Sequence, residues 1–153
     1  ITADLIVGFP GEGDAEFHES REFVRSMEFS DMHIFPFSAR PGTSAHYFRN
    51  KVGAAVKKQR TSEMLGLAKE GFQRFRKRQL GQTRPVLWES VRRASGTPGW
   101  SGLTDNYIRV YTNSQEVLYN QITPARLQML NGDWVSASPT VTDLTRSTCW
   151  TGE

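Results

Sequence analysis

The chain has 153 residues, of which 37% are hydrophobic and 23% are charged, and its formal net charge is +3 at pH 7. This length suits one or two small domains, and no stretch approaches the roughly 20 consecutive apolar residues of a membrane span. The single cysteine, Cys149, excludes an internal disulfide bond and any site built from several cysteines of this chain, and it fits a cytoplasmic setting.

The first forty residues predict a strand, a helix and a second strand. The apolar run Thr2–Phe9 predicts a buried strand that ends in the turn Pro10-Gly11, and Asp14 is the expected N-cap of the helix. Met32–Phe37 predicts the second strand, and the whole pattern is typical of a crossover between parallel strands. Two parallel strands need further neighbours. We therefore expect the chain to be part of a longer polypeptide whose N-terminal part is missing here.

A long helix is predicted next, over about residues 54–80, and Gly81 ends it. Positive charge is concentrated here: residues 51–93 contain twelve basic and three acidic residues, whereas residues 1–50 contain four basic and eight acidic ones. Such a concentration suits a polyanion partner, because cations release the counterions condensed on phosphates. The competing interpretation is the solvated face of a helix.

After Gly81 the apolar period changes to that of strands. The predicted strands are Pro85–Val91, Trp100–Leu103, Tyr107–Tyr111, Val117–Ile122 and Ala125–Leu130. Five short strands separated by turns predict a small OB-like antiparallel barrel. The expected organisation is thus an α/β region over residues 1–80, a small all-β domain over 81–138 and a loose tail over 139–153.

Two loops that follow the first two predicted strands carry residue types suited to a ligand. The first contains Gly8, Phe9, Pro10, Gly11 and Glu12, and the second contains Phe35, Phe37, Ser38 and Arg40. Ligands of α/β sheets bind beyond the carboxyl ends of strands, so both loops are expected on one rim. Taken singly, the first also fits a simple turn with a capping acid, and the second a structural loop with a solvated arginine.

Together the two loops resemble the paired motifs of the radical S-adenosylmethionine (SAM) methylthiotransferase family. The family segment D-x-I-V-G-F-P-G-E corresponds to Asp4–Glu12, and F-x-Y-S-x-R-x-G-T corresponds to Phe35–Thr43, with Phe37 in place of the usual tyrosine. The following basic helix and β-domain resemble the RNA-binding TRAM domain that ends these enzymes. The resemblance covers residues 1–138. It implies the last strand-helix units of a partial radical SAM barrel followed by an OB-like TRAM barrel.

The resemblance also implies chemistry that this chain does not complete alone. In the family, a [4Fe–4S] cluster held by a C-x-x-x-C-x-x-C motif reductively cleaves SAM, and a methylthio group is added to C2 of a modified adenosine in tRNA. The cluster cysteines are absent here, so no catalytic residue or metal ligand is expected in this chain. The expected wall of the SAM site consists of Gly8, Phe9, Pro10, Gly11, Glu12, Phe35, Phe37, Ser38 and Arg40.

The β-domain and the end of the long helix are expected to bind tRNA. The expected residues are Lys77, Arg78, Arg84, Arg92, Arg93, Asn106, Tyr107 and Arg109. The cations would contact phosphates and position the RNA without reading its sequence. Tyr107 and Tyr111 would offer faces on which bases stack, and the competing interpretation for both is ordinary barrel packing.

The branch of the family is predicted from two segments. His33–Ser38 and Leu103–Val110 are most similar to the branch that acts on threonylcarbamoyladenosine beside the anticodon, and the isopentenyladenosine branch is the nearest competitor. The branch that modifies a ribosomal-protein aspartate fits less well, because it has an acidic pair where this chain has Arg40-Pro41.

Two other classes compete with an enzyme fragment. An RNA-binding module without a catalytic parent has no need of the two rim loops. A metabolic α/β enzyme with an appended barrel is disfavoured because the chain has no glycine-rich phosphate loop.

Overall fold

The computed structural model of the chain describes residues 1–92 and 97–140, except for the side chain of Arg92. The chain divides into two compact units, Ile1–Phe75 and Arg76–Glu153, and the division falls within the long helix. The expected domain limits at residues 80 and 138 stay predictions. Arg93, Cys149 and nearly all of the expected tail lie outside the described residues.

The first unit is a strand-helix-strand unit covered by a long helix. Its elements are β1 (Thr2–Val7), α1 (Asp14–Met27), β2 (Asp31–Pro36), a short 3-10 helix (Ser44–Tyr47) and most of α2 (Ala54–Gln79). The two strands pair in parallel along their whole length, from Thr2 opposite Asp31 to Val7 opposite Pro36. The expected parallel crossover and the expected long helix are both confirmed.

The core of this unit lies between one face of the sheet and the helices. Successive strand residues point to opposite faces, and Ala3, Leu5 and Val7 alternate with exposed neighbours along β1. Two buried clusters result, one of Val7, Phe17 and Met64 and the other of Val24, Met32 and Ala68. The other face of the sheet is uncovered, because Ile6 and Phe35 remain 56% and 49% exposed.

The start of α1 differs from the expectation. The N-cap is Gly13, and the helix begins at Asp14. Glu16 holds this end, since the Gly13 N–H donates to its Oε2 at 2.9 Å. The Asp14 carboxylate accepts a hydrogen bond from Arg60 instead. Asp14 was wrongly expected as the cap because sequence alone does not reveal a distant competitor for its carboxylate.

The second unit contains a closed five-stranded barrel, which confirms the expected small all-β domain. Its strands are β3 (Thr83–Arg92), β4 (Gly99–Thr104), β5 (Arg109–Asn113), β6 (Ile122–Asn131) and β7 (Trp134–Pro139), in the order β3-β4-β5-β7-β6. The barrel is not antiparallel throughout, because β5 and β7 pair in parallel. The largest buried side chain is Trp88, which is fully enclosed by the strands.

One of the five predicted strands was misplaced, and one strand of the barrel was missed. The expected strand Val117–Ile122 is a loop in which Leu118 is buried and its neighbours Val117 and Tyr119 are 70% and 63% exposed. The loop has the apolar pattern of a strand, but Leu118 is its one buried apolar side chain between exposed neighbours. The strand β7 was missed because its outward residues are small or polar serines, which weaken the apolar signal.

Candidate functional site

The two rim loops lie side by side at the carboxyl ends of β1 and β2, as the parallel crossover predicted. The Phe37 N–H donates to the Val7 carbonyl oxygen at 2.7 Å, and this bond joins the two loops where they begin. The ring of Phe9 contacts the ring of Phe37, with centroids 5.0 Å apart at 70°. Phe48, which the sequence did not single out, packs on the other edge of Phe9 with centroids 6.0 Å apart.

The backbone of the first loop is held by hydrogen bonds to other groups of the chain. Gly8 and Gly11 have φ angles of 78° and 93°, which glycine adopts without steric cost. The Gly8 N–H donates to Glu12 Oε2 at 2.9 Å, and the Gly11 N–H donates to the Asn50 carbonyl at 3.0 Å. These two amide donors therefore have partners within the chain, so the wall would meet a ligand mainly through side chains such as Phe9.

The carboxylate of Glu12 is engaged by a buried arginine from α2. Arg60, whose side chain is only 6% exposed, donates to Glu12 Oε1 and to Asp14 Oδ1 at 2.7 Å each. Its guanidinium also lies 5.0 Å from the centroid of the Phe17 ring. Desolvation lowers the pKa of Arg60, but the hydrogen bonds and charges of Asp14 and Glu12 raise that pKa by more. Glu12 thus orients the loop through Gly8 and Arg60.

A second α2 cation, Lys57, crosses the rim. Its Nζ donates to the Phe37 carbonyl at 3.1 Å. A Cβ at Gly8 would lie 2.3 Å from Lys57 Cγ, so the lysine stem occupies the space that any side chain at position 8 would need. Lys57 and Arg60 are called the rim clamp below, because Lys57 bridges the two loops and Arg60 fixes the first loop to the start of α1. From the sequence, both residues were counted only among the cations of the basic segment. A signal for Arg60 was available, because Met64 of the apolar stripe lies one turn beyond it and so places Arg60 on the buried face of the helix.

The second loop presents Ser38 and Arg40 to solvent. Pro41 and Gly42 occupy the centre of a turn in which Thr43 donates to the Arg40 carbonyl through its N–H at 3.3 Å and its hydroxyl at 2.8 Å. Gly42 has a φ of 85°, which the third position of a type II turn requires. The turn fixes where Arg40 leaves the backbone, and its exposed guanidinium suits an anionic group.

The rim residues fit SAM in part and do not fit an iron–sulfur cluster. Phe9 and Phe35 are 42% and 49% exposed, and such rings suit the flat face of an adenine. Arg40 suits a carboxylate. No three His, Cys, Asp or Glu residues within 1–92 and 97–140 are placed to hold a metal ion. A cubane cluster needs cysteine ligands, and this chain has one cysteine in total.

In the second unit, several of the expected tRNA-binding residues meet at Gln79, at the end of α2. Gln79 Oε1 accepts from Arg84 Nη2 at 2.8 Å and from Asn106 Nδ2 at 3.3 Å. Arg84 also pairs with Asp105 at 3.3 Å. Gln79 was not anticipated from the sequence. It fixes the direction of Arg84 and anchors the loop between β4 and β5, while Lys77 remains exposed on the same turn of the helix.

Tyr107 has an unusual conformation at the tip of this loop. Its φ is 63°, in the left-handed region, and its side chain is 83% exposed. The loop is closed by the Tyr107 N–H, which donates to the Thr104 carbonyl at 3.0 Å, and by the Ile108 N–H, which donates to the Thr104 hydroxyl at 2.8 Å. Left-handed backbone costs a non-glycine residue about 1 kcal/mol or more. This conformation also explains why β5 begins at Arg109 rather than at Tyr107 as expected.

The other residues that were expected to bind RNA have different surroundings from one another. Arg109 forms an ion pair with Glu89, which lies at a β-bulge between Trp88 and Ser90. Arg78 is exposed at the cationic end of α2, whereas the side chain of Arg92 and all of Arg93 lie outside the described residues. Gln79 therefore joins Arg84 to Asn106, and Tyr107 follows Asn106 in the same loop. Arg109 is instead paired with Glu89.

Helices of the described part of the chain are either too short or too polar to cross a membrane. This holds for α2, although it is the longest element at 26 residues, because cations recur along its length.

Proteins similar to this chain modify tRNA. A threonylcarbamoyladenosine tRNA methylthiotransferase, MtaB, from Thermotoga maritima is 48% identical over 89 residues, which are 58% of this chain and 20% of that protein. The MtaB of Bacillus subtilis is 29% identical over 128 residues, 83% of this chain and 28% of that protein. A tRNA-2-methylthio-N(6)-dimethylallyladenosine synthase from Syntrophotalea carbinolica is 35% identical over 127 residues, 83% of this chain and 29% of that protein.

No protein-family model matches the chain. The chain spans less than a third of the length of each of these three relatives. The matches show that it is homologous to enzymes that modify tRNA. It belongs to the tRNA methylthiotransferase family, which the motifs Asp4–Glu12 and Phe35–Thr43 predicted.

Proposed function

We propose that this chain is the C-terminal part of a radical SAM methylthiotransferase that adds a methylthio group to C2 of threonylcarbamoyladenosine beside the tRNA anticodon. The observation that carries the proposal is the joining of the two family motifs at one rim, through the hydrogen bond from Phe37 to Val7. The order of a parallel strand-helix unit, a basic helix and a small barrel supports the assignment to a partial SAM barrel followed by a TRAM domain.

The proposed contribution of the first unit is one wall of the SAM site. Phe9 and Phe35 offer exposed rings to the adenine, and Arg40 offers a guanidinium to the carboxylate. When bound, one SAM molecule would supply a radical on one-electron reductive cleavage, with methionine as the other product, and a separate, uncleaved SAM would supply the methyl group. Because a cubane cluster needs several cysteine ligands and this chain has one cysteine, the chain alone is expected to be inactive. Lys57 and Arg60 support the wall without being part of it: Lys57 holds the second loop through Phe37, and Arg60 holds the first through Glu12.

The proposed contribution of the second unit is the grip on tRNA. Lys77 and Arg78 are exposed cations for phosphates, and Tyr107 is an exposed ring for a base. The substrate assignment to threonylcarbamoyladenosine is supported by the 48% identity to the Thermotoga maritima MtaB, although over nearly equal spans the Bacillus subtilis MtaB is 29% identical and the Syntrophotalea carbinolica synthase 35%. The Thermotoga maritima match covers fewer residues, so isopentenyladenosine is the alternative substrate.

The methylthio transfer is tested by disrupting the gene that encodes this chain in its host and analysing the nucleosides of total tRNA by mass spectrometry. We expect the methylthio derivative of threonylcarbamoyladenosine to disappear while its precursor accumulates. Loss of the isopentenyl derivative instead would assign the alternative branch. If no methylthio nucleoside changes, the enzyme assignment is wrong and a stand-alone RNA-binding module becomes the better explanation.

The tRNA grip is tested by titrating the chain with tRNA that contains or lacks the threonylcarbamoyl group, over a range of salt. We expect both to bind with strong salt dependence, because phosphate contacts release counterions whatever the modification. Changing Lys77 and Arg78 to Ala together should weaken binding to both equally and reduce the salt slope by about 0.7–0.9 for each phosphate that is no longer neutralised. The matched control is Arg25→Ala, an exposed arginine of α1 paired with Glu22. Absence of binding at low salt would remove the tRNA half of the proposal.

A further inference from the structure

Trp134, which belongs to none of the surfaces described above, forms an aromatic pair with Tyr111 on the outside of the barrel. The two ring centroids lie 5.0 Å apart at 70°, edge to face. The pairing follows from register: Val110 lies opposite Val135, and both are fully buried. Because strand side chains alternate, the residues next to these valines point outward, and Tyr111 and Trp134 meet there.

The exposure of Trp134 sets it apart from the other described tryptophans. Trp88 and Trp100 are 0% and 5% exposed and fill the barrel, whereas Trp134 is 37% exposed. A two-residue loop places it, since Asn131 pairs with Trp134 across Gly132, whose φ is 62°. A large apolar ring kept at the surface by a tight hairpin is costly to hydrate and is suited to a flat partner.

One cation lies beside the pair. Arg109 precedes Val110 on β5, so its side chain shares the outer face with Tyr111, and it is 38% exposed beside its partner Glu89. A cation beside an exposed aromatic pair suits single-stranded nucleic acid, since a phosphate can meet the cation while bases stack on the rings.

The position in the barrel agrees with this chemistry. The closed order β3-β4-β5-β7-β6, with its parallel β5–β7 contact, is that of an OB-type barrel. In such barrels the face of the second and third strands and the loop between the fourth and fifth bind oligonucleotides. Here those elements are β4, β5 and the Gly132-Asp133 loop, which is where Tyr111 and Trp134 lie.

We propose that Tyr111 and Trp134 form a stacking site for unpaired bases of single-stranded RNA, with Arg109 on an adjacent phosphate. The inference deepens the proposed tRNA binding and rests on it. It selects unpaired loop nucleotides over helical stems, because only unstacked bases expose a face to the rings.

The test compares a short unstructured RNA with a blunt RNA duplex, each titrated into the full chain. Trp134→Leu and Tyr111→Leu should each weaken binding of the single strand about tenfold and leave duplex binding unchanged. Tyr119→Leu is the matched control, because Tyr119 is an exposed aromatic of the loop before β6. Single-stranded RNA should also quench tryptophan fluorescence in the native chain, and Trp134→Phe, which keeps a ring and the packing, should lose that quenching.

Each outcome separates this inference from the proposed function. Unchanged single-strand affinity in Trp134→Leu, or equal losses in Tyr119→Leu, would overturn the stacking site and leave tRNA binding intact. If Trp134→Leu fails to fold, persistence of the quenching in Trp134→Phe overturns the inference by itself. Absence of binding to either RNA by the native chain at low salt would overturn both the stacking site and the tRNA grip.

Discussion

The two units of this chain complete their sheets in opposite ways. In the barrel every strand has two neighbours, so the backbone ladder closes on itself. Among the residues that the structure describes, β1 and β2 of the first unit pair only with each other, and nothing covers the sheet face that carries Ile6 and Phe35. Barrel closure leaves no strand edge unpaired, whereas a two-stranded sheet depends on the helices packed against it. The order of the first unit therefore depends on α1, α2 and the rim clamp.

The same contrast appears in how each unit uses arginine. Arg60 in the first unit is buried between two carboxylates, with its side chain 6% exposed. Arg109 in the second unit is 38% exposed beside a single glutamate. A buried cation that loses its partners is strongly destabilising, whereas an exposed pair contributes about 0–1 kcal/mol. Arginine thus serves as an internal clamp in the first unit and as an exposed, singly paired cation in the second.

The largest expected difference between the units is in amide hydrogen exchange. Amides of β1 and β2 should exchange roughly a hundredfold faster than those of β5 and β7, because a sheet with uncovered edges opens locally at lower free energy. Exchange measured residue by residue on the full chain checks this. Equal protection in the two sheets would mean that the helices alone stabilise the first unit as well as closure stabilises the barrel.

Removing the buried cation should have the next largest effect. Arg60→Met should lower the free energy of unfolding of the first unit by about 3 kcal/mol, because Glu12 loses the partner of its partly buried carboxylate. All four tryptophans lie beyond residue 75, so urea unfolding followed by fluorescence reports the second unit. Far-ultraviolet ellipticity reports the helices, and only this signal should shift to lower urea.

Two companion variants show whether burial is the cause. Arg25→Met removes an exposed arginine that also pairs with a glutamate, Glu22, at 2.7 Å, and it should change stability by less than about 0.5 kcal/mol. Combining Arg60→Met with Glu12→Gln should recover part of the loss, since the partly buried carboxylate is then neutral and the other partner of Arg60, Asp14, is fully exposed to water. If Arg25→Met is as damaging as Arg60→Met, charge alone rather than burial governs the effect.

The smallest predicted effect has opposite signs for stability and binding. Tyr107→Asn should raise the free energy of unfolding of the barrel by up to about 1 kcal/mol, because asparagine tolerates the left-handed backbone that tyrosine does not. The same variant should weaken RNA binding by removing an exposed ring. Thermal unfolding and RNA titration measure the two changes, with Tyr119→Asn as the control that should alter neither. A stability loss would show that the ring packs despite its exposure.

Local periodicity predicted much of the fold. The strand-helix-strand unit and the long α2 agree with the structure because their apolar residues repeat at the helical or strand period over many positions. The prediction failed where one contact overrode the pattern. The apolar residues around Leu118 have the pattern of a strand, but only Leu118 is buried there. In β7 the apolar signal is weak because Ser136 and Ser138 are its outward residues.

The rim loops were predictable from their spacing after parallel strands, but their internal partners were not. Glu12 was expected to face a ligand, and its carboxylate instead meets Arg60 from a helix 48 residues later. Gln79 and Trp134 were missed for a related reason. Their roles come from the register of strands and loops distant in sequence, which local composition does not encode.

The bulge at Glu89 has a consequence for how the barrel tolerates changes in length. Trp88 pairs with Gly102 and Ser90 pairs with Ser101, so Glu89 is the one residue of this stretch without a counterpart on β4. A deletion of this residue would make the ladder regular without shifting either neighbouring pair. It would also remove the carboxylate that pairs with Arg109. A deletion at this position would therefore change the surface charge of the barrel while keeping its architecture.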